Sequence, residues 1–108
     1  MATVGEIDPT ELKQRLDRGE RVFILDVREP GEIAIAPFPG ASHIPMNDIP
    51  SRIGELDPAR ETVVVCHHGV RSAQVARWLA GRGFERVLNL SGGIDLWSET
   101  ADPSTPRY

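Results

Sequence analysis

The sequence has one cysteine, no long apolar run and no N-terminal targeting pattern. A single cysteine excludes a disulfide within the chain and suits a reducing compartment. No stretch approaches the roughly 20 apolar residues that a membrane-spanning helix needs. The first ten residues, MATVGEIDPT, lack both the basic start and the apolar segment of a cleavable signal peptide. These absences predict a cytoplasmic protein that does not contact membranes.

The charge balance is slightly acidic. Sixteen acidic side chains against twelve basic ones give a formal net charge of -4, which argues against nucleic acid or an anionic membrane as the main partner. Any anion-binding site must therefore be built locally. The length of 108 residues, with 40% hydrophobic and 26% charged residues, fits one globular domain with a core of its own.

Helix signals alternate with short apolar strands along the chain. Apolar runs predict buried strands at Val22–Leu25, Thr62–Val65 and Arg86–Leu90. Helices are predicted after the Asp8-Pro9 cap, near residues 51–56, from Ser72 to about Gly81, and around Leu96 and Trp97. The prolines between positions 29 and 50 disfavour a long helix there. This order predicts an α/β fold in one domain, residues 1–100, with a mainly parallel central sheet flanked by helices on both faces. Residues 101–108 are predicted to form a polar C-terminal tail that lies on the surface.

One segment carries most of the chemical information. Cys66 ends a predicted buried strand, a short loop with one glycine follows, and a helix begins near Ser72. Parallel sheets bind ligands beyond the carboxyl ends of their strands, which is where Cys66 falls. A curled loop would direct its N–H groups to one point above the helix N-terminus, where a thiolate is favoured. Cys66 is therefore the candidate nucleophile, and the same loop can hold an anionic substrate through His67, His68, Gly69, Val70, Arg71 and Ser72.

Other interpretations of these residues stay open at this point. Cys66 is alternatively an inert cysteine that ends a core strand, although the glycine loop and the helix start favour the reactive form. Adjacent His67 and His68 suggest zinc, but three consecutive residues seldom converge on one tetrahedral ion and His43 is the only other histidine. We therefore expect no metal. The two histidines either line the mouth of the loop and add positive charge or are plain solvent-exposed residues.

Arg71 has two candidate roles. It either binds the substrate directly or points outward and braces the loop through a carboxylate. We favour the bracing role, with Asp26 or Glu29 as the partner.

Five segments resemble the rhodanese homology domain, in the order and spacing of that family. They are DVREP at 26–30 with Glu32, PGA at 39–41, HIP at 43–45, CHHGVRS at 66–72 and GGIDLW at 92–97. Together they cover most of the chain. The resemblance implies a single rhodanese-like domain in which Cys66 accepts sulfur, with Asp26 and Arg28 in supporting positions.

The resemblance also implies a reaction. A rhodanese-type sulfurtransferase moves sulfane sulfur from a donor such as thiosulfate or a persulfide to a thiol or cyanide acceptor, through a cysteine persulfide and without a cofactor. His67 stands where some thiosulfate-specific members carry lysine or arginine, so the donor stays open. The ending from Asp102 to Tyr108 is similar to the tails of rhodanese domains fused to adenylyltransferases, which adds a sulfur-relay protein as a candidate partner.

Two alternative functions compete with sulfur transfer. The first is a catalytically weak rhodanese module that binds a protein or relays sulfur; silent modules commonly lack the cysteine, which is present here. The second is a phosphatase or arsenate reductase of the related cysteine-loop type. Those enzymes place five residues between cysteine and arginine, whereas four separate Cys66 from Arg71. The shorter loop predicts a cradle that fits a sulfur atom rather than a phosphoryl group.

Overall fold

The computed structural model describes residues 3–108, and five parallel strands form its single sheet. The strands are β1 (Thr3–Ile7), β2 (Phe23–Asp26), β3 (Ser42–His43), β4 (Thr62–Val65) and β5 (Arg86–Leu90). Their order across the sheet is β1-β5-β4-β2-β3, and every pairing is parallel. Because β4 is the central strand, Cys66 lies in the middle of the carboxyl edge of the sheet.

Helices connect the strands. They are α1 (Pro9–Asp17), α2 (Pro30–Ile35), α3 (Ile49–Arg52), α4 (Val70–Ala80) and α5 (Gly93–Thr100), with 3-10 turns at Met46–Asp48 and Ile53–Glu55. The start of α1 is as predicted, since the Asp8 carboxylate accepts the Thr10 N–H at 2.8 Å and Pro9 follows in the first turn. Within residues 3–108, none of these helices combines the length and the apolar character needed to cross a membrane.

Two apolar layers cover the sheet, one on each face. Alternate residues of a strand point to opposite faces, so Val63 and Val65 pack with α1 and α5, while Val64 and Cys66 pack with α3 and α4. All four residues of β4 are buried, which explains the continuous apolar run in that strand. The predicted α/β fold, with helices on both faces of a parallel sheet, is confirmed.

Three elements of the fold were not predicted. β1 is an edge strand that pairs with β5 along its whole length, and its sequence TVGEI has no apolar run because Ile7 is its only fully buried side chain among those described. α2 has only six residues and starts at Pro30, where a missing N–H costs nothing. β3 is only two residues long. Short or edge elements need little burial and so leave a weak signal in the sequence.

The C-terminal tail packs into the domain more closely than predicted. Thr105 is buried, and its hydroxyl accepts the indole N–H of Trp97 at 3.1 Å. Tyr108 is half-buried, and its ring stacks on His67. The tail therefore contributes side chains to the carboxyl edge of the sheet instead of only covering the surface.

Candidate functional site

The loop that follows Cys66 is held in place by the N-terminus of α5. The N–H groups of Ile94 and Asp95 donate to the carbonyl oxygens of Cys66 and His67 at 2.9 and 3.1 Å. A Cβ on Gly93 would lie 2.5 Å from the Cys66 carbonyl oxygen and closer still to that of His67. Glycine is required at this position because backbone, and no flexible side chain, occupies the space.

The sulfur of Cys66 lies at the N-terminus of α4. The Gly69 N–H donates to Sγ at 3.1 Å, and the Ser72 hydroxyl lies 3.2 Å from Sγ. Gly69 has a φ of 98°, a left-handed conformation that favours glycine and turns its N–H back toward the sulfur. The first-turn N–H groups of a helix have no intrahelical acceptor and favour negative charge beside them. Of the successive loop N–H groups that were predicted to converge, the Gly69 N–H contacts the sulfur, and the Ser72 hydroxyl lies beside it.

Cys66 is only 1% exposed. The nearby loop residues differ in exposure, because the side chain of His68 is 63% exposed and Val70 is 68% exposed. The side chain of Val70 projects into solvent, so a contribution of Val70 to ligand binding comes from its backbone. The sulfur thus lies just beneath a surface formed by the loop.

A polar cluster behind Cys66, with Ser72 and Asn89 buried and Glu6 exposed, was missed by the sequence analysis. We call it the Asn89 cluster, and it consists of Glu6, Gly69, Ser72 and Asn89. The Ser72 hydroxyl lies 2.5 Å from Asn89 Oδ1, and Asn89 Nδ2 donates to the Gly69 carbonyl and to both oxygens of Glu6 at 3.2 Å. β1 and β5 place Glu6 and Asn89 side by side. In the sequence, the one indication of this cluster was the polar residue Asn89 inside the mainly apolar strand RVLNL.

Arg71 braces the loop, but the predicted partner was wrong. Its guanidinium donates to both oxygens of Glu32 on α2 at 2.7 and 2.8 Å, and not to Asp26 or Glu29. The Arg71 guanidinium lowers the pKa of the Glu32 carboxyl from 4.5 to about 2, and the same contact raises the pKa of Arg71. The ion pair connects the first turn of α4 to α2.

Asp26 and Arg28 support the site from a distance. Both are fully buried and form a bidentate pair, with nitrogen–oxygen distances of 2.9 and 2.7 Å. Arg28 also donates to the Ala36 carbonyl at 2.7 Å and to the Tyr108 hydroxyl at 3.0 Å. Tyr108 in turn donates to Glu32 at 2.9 Å. Tyr108, which the sequence analysis did not select, thus connects the buried pair to the Arg71 brace.

The two histidines of the loop have different environments. The His67 ring is stacked between His68 and Tyr108, with 3.9 Å between ring centroids on each side, and its Nε2 donates to the Tyr108 carbonyl at 2.9 Å. His68 is exposed, with Nε2 4.0 Å from an Asp95 oxygen. Potential ligand atoms of His67, His68 and Asp95 lie within 4.8 Å of one another. Within this group, one Asp95 oxygen accepts from Arg107 at 3.0 Å and His67 Nε2 bonds the Tyr108 main-chain oxygen.

A groove on the described part of the chain lies away from this loop. It has a volume of about 340 Å³ and lies between α4 and the segment at 46–50. Its lining residues are Met46, Asn47, Ile49, Pro50, Gln74, Val75 and Trp78. None of the predicted site residues lines it, so the groove and the Cys66 loop are separate features.

Comparison with known proteins agrees with the fold. The family model of the rhodanese-like domain matches residues 8–100. A sulfurtransferase from Allochromatium vinosum is 43% identical over 100 residues, which cover 93% of this chain and 94% of that protein. Thiosulfate sulfurtransferase GlpE from Pseudomonas entomophila is 35% identical over 83% of each chain. Putative sulfur carrier protein YrkF from Bacillus subtilis is 37% identical over 90% of this chain and 52% of that protein.

The crystal structure of a rhodanese-like domain protein from Staphylococcus aureus superposes with a TM-score of 0.84 at 33% identity and covers 96% of this chain and 98% of that one. The chain therefore belongs to the rhodanese-like domain family.

Proposed function

We propose that the protein is a sulfurtransferase that carries sulfane sulfur as a persulfide on Cys66. The observation that carries the proposal is the position of the sulfur, which contacts the Gly69 N–H and the Ser72 hydroxyl at the N-terminus of α4. The Gly69 N–H and the N-terminus of α4 suit a sulfur atom that alternates between thiolate and persulfide. Relatives named sulfurtransferase, thiosulfate sulfurtransferase and sulfur carrier protein support the same chemistry.

The proposed reaction has two half-reactions. The Cys66 thiolate attacks the outer sulfur of thiosulfate, a sulfur–sulfur bond forms, and sulfite leaves with the electron pair of the broken bond. A persulfide donor reacts in the same way and releases a thiolate. An acceptor, either a thiolate or cyanide, then attacks the terminal sulfur of the Cys66 persulfide and restores the Cys66 thiolate. In the proposal, a sulfur-relay protein can take the place of the small acceptor.

Anion binding in this proposal falls mainly to the backbone. Arg71 uses both guanidinium ends on Glu32, which leaves the first-turn N–H groups of α4 to contact a thiosulfate or persulfide oxygen or sulfur. The exposed His68 adds a donor at the mouth of the loop. Because Cys66 is 1% exposed, small donors and acceptors have an advantage over bulky ones.

The contact between Arg71 and Glu32 argues against the chemistry of a cysteine-loop phosphatase. Arg71 already donates two hydrogen bonds to Glu32, which leaves fewer of its N–H groups for the oxygens of a phosphoryl group. The loop is also one residue shorter than the five that such enzymes place between cysteine and arginine. We therefore expect negligible hydrolysis of aryl phosphates.

Intact-mass measurement tests the proposal directly. Cys66 is the only thiol of the chain, so incubation with thiosulfate should add the mass of one sulfur atom, and cyanide should remove it and form thiocyanate. Cys66→Ser should neither gain the sulfur nor form thiocyanate. Full turnover by Cys66→Ser would refute the role of Cys66. Efficient, Cys66-dependent hydrolysis of an aryl phosphate by the unmodified protein would favour the phosphatase instead.

A further inference from the structure

The Ser72 hydroxyl has one proton and two acceptors within reach. Sγ of Cys66 lies 3.2 Å away and Oδ1 of Asn89 lies 2.5 Å away, and a hydroxyl can donate to only one of them at a time. Cys66, Ser72 and Asn89 are all buried, with exposed fractions of 1%, 0% and 4%. Solvent therefore does not substitute for either bond, and the two acceptors compete.

The orientation of the Asn89 amide decides this competition while Cys66 is neutral. Nδ2 faces the Gly69 carbonyl and the two carboxylate oxygens of Glu6, which accept hydrogen bonds and cannot donate them. A rotated amide would place Oδ1 against those three oxygens. Oδ1 must therefore face Ser72 and accept the hydrogen bond of its hydroxyl. The Cys66 thiol can then donate a hydrogen bond to the Ser72 oxygen.

We infer that Asn89 is a positioning residue that withholds the Ser72 proton from Cys66, and so disfavours the bare thiolate relative to the thiol and the persulfide. When Cys66 ionises, Ser72 has to turn toward the sulfur, which leaves two oxygens 2.5 Å apart with no proton between them. The loss of this hydrogen bond raises the free energy of the Cys66 thiolate that carries no transferred sulfur.

The persulfide form keeps the hydrogen bond between Ser72 and Asn89, and this part of the inference rests on the proposed function. The negative charge of a persulfide resides on the outer sulfur, and the inner sulfur is a neutral atom bonded to carbon and sulfur. Ser72 can then keep its bond to Asn89, while the N–H groups of the loop contact the charged outer sulfur. The Asn89 cluster therefore favours retention of the transferred sulfur once it is loaded.

Other charged and titratable groups lie on the elements around the Cys66 loop. They come from β1, α2, the loop, α4, α5 and the tail, and they are Glu6, Glu32, His67, His68, Arg71, Asp95 and Tyr108. Glu6 is the member of this group that contacts Asn89, so Asn89→Leu also removes two hydrogen bonds from its carboxylate, an effect that persists in the Ser72→Ala background. A comparison of variants at these two positions therefore isolates the competition for the Ser72 proton.

A double-mutant cycle tests the inference by the pH dependence of alkylation. Iodoacetamide rates are measured from pH 5 to 10 for the unmodified protein, Asn89→Leu, Ser72→Ala and the double variant. Asn89→Leu should lower the midpoint of the rate profile by about half to one pH unit, the size expected from one hydrogen bond of ordinary net strength. The same change in the Ser72→Ala background should leave the midpoint in place, because Ser72 transmits the effect.

Controls keep the test decisive if a variant folds poorly. Thr62→Val removes a buried hydroxyl from the neighbouring strand β4, where it bonds only the Arg60 carbonyl, and should not move the midpoint. Asn89→Ser withdraws Oδ1 from Ser72 and replaces Asn89→Leu if the leucine variant does not fold. An unchanged midpoint in a folded Asn89 variant overturns the inference. An equal shift with and without Ser72 also overturns it, because Asn89 would then act by another route.

A second measurement follows sulfur retention. At equilibrium with thiosulfate and sulfite, and at a pH above both alkylation midpoints, the ratio of persulfide to free protein, measured by intact mass, should fall about three- to tenfold in Asn89→Leu, which matches the expected shift in ionisation. Equal ratios in the two proteins would refute the effect on retention. Failure of the unmodified protein to gain any sulfur would refute the proposed function, while the alkylation profiles would still test the role of Asn89.

Discussion

Removal of the Glu32 charge is the sharpest test of how the loop is braced. Glu32 accepts two hydrogen bonds from Arg71, one from the Tyr108 hydroxyl and one from the Glu29 N–H. Glu32→Gln keeps the shape of the side chain and removes its negative charge. We expect the variant to fold but to lose part of its stability, because Arg71 then has a neutral partner.

The size of the effect follows from the Glu32 pKa. The drop from 4.5 to about 2 corresponds to about 3 kcal/mol between the charged and neutral forms, at about 1.4 kcal/mol per pH unit. The side chains of Arg71 and Glu32 are 33% and 21% exposed, so solvent screening reduces the expected loss to about 1–2 kcal/mol. This is a large fraction of the stability of a small domain.

The lowered pKa of Glu32 also determines how its contribution to the free energy of unfolding changes with pH. The pKa of Glu32 is lower in the folded than in the unfolded protein, so the stabilisation is complete above about pH 5 and is lost as the pH falls toward 2. Urea unfolding of both proteins should show a difference of about 1–2 kcal/mol at pH 7. That difference should shrink by roughly half or more at about pH 3. Contributions from other carboxylates cancel because both proteins share them.

Glu55→Gln is the matched control. Glu55 pairs with Arg52 on the surface, where the two side chains are 54% and 39% exposed, and an exposed pair contributes little to stability. If Glu32→Gln costs no more than Glu55→Gln, the brace is not a stabilising contact. If the difference between Glu32→Gln and the unmodified protein is unchanged at pH 3, the pKa of Glu32 is not lowered and the reasoning fails.

Three further perturbations test other parts of the site. Gly93→Ala places a methyl group against two loop carbonyls, so the midpoint of thermal unfolding should fall. In the control Gly31→Ala the added methyl group meets nothing within 4 Å, and the midpoint should not fall. Equal midpoints in the two variants would contradict the need for glycine at position 93. Tyr108→Phe removes the hydroxyl that accepts from Arg28, so urea unfolding should show a loss of about 1 kcal/mol. Unchanged stability would leave that hydroxyl without a structural role. His68→Glu adds negative charge at an exposed position, so the KM for thiosulfate should rise, and less so at high salt; an unchanged KM would place donor recognition in the backbone.

The fold was predictable where burial is complete. β4 is covered on both faces, so its four residues had to be apolar or small, and the glycine loop and helix that follow were visible in the sequence. β1 could not be found in this way because an edge strand packs mainly through one residue, Ile7. The residues that pair across β1 and β5 become neighbours only when the sheet forms.

The site was predictable only in its central segment. Residues 66–72 could be selected from their order alone, because a strand end, a glycine loop and a helix start follow one another there. Their contacts to Glu32, Asn89 and Tyr108 could not be predicted in this way. The partner of Arg71 could not, because Asp26, Glu29 and Glu32 are all near in sequence and only the short helix α2 and the Asp26–Arg28 pair determine which carboxylate is free. Tyr108 lies in a segment whose composition predicts a surface tail, and nothing local shows that its ring reaches the loop.

The placement of β1 beside β5 has a consequence for the order in which the protein folds. Contacts that complete the site join residues far apart along the chain: Glu6 meets Asn89, and Tyr108 meets Glu32. Closing such long loops costs entropy before any contact compensates for it, which slows the late steps of folding. A chain that has paired β2 with β4 but not β1 with β5 already contains Cys66 at a strand end, yet lacks the Glu6 carboxylate that orients Asn89. Under the inference on Asn89 above, a chain at that stage would hold sulfur on Cys66 less firmly than the native protein does.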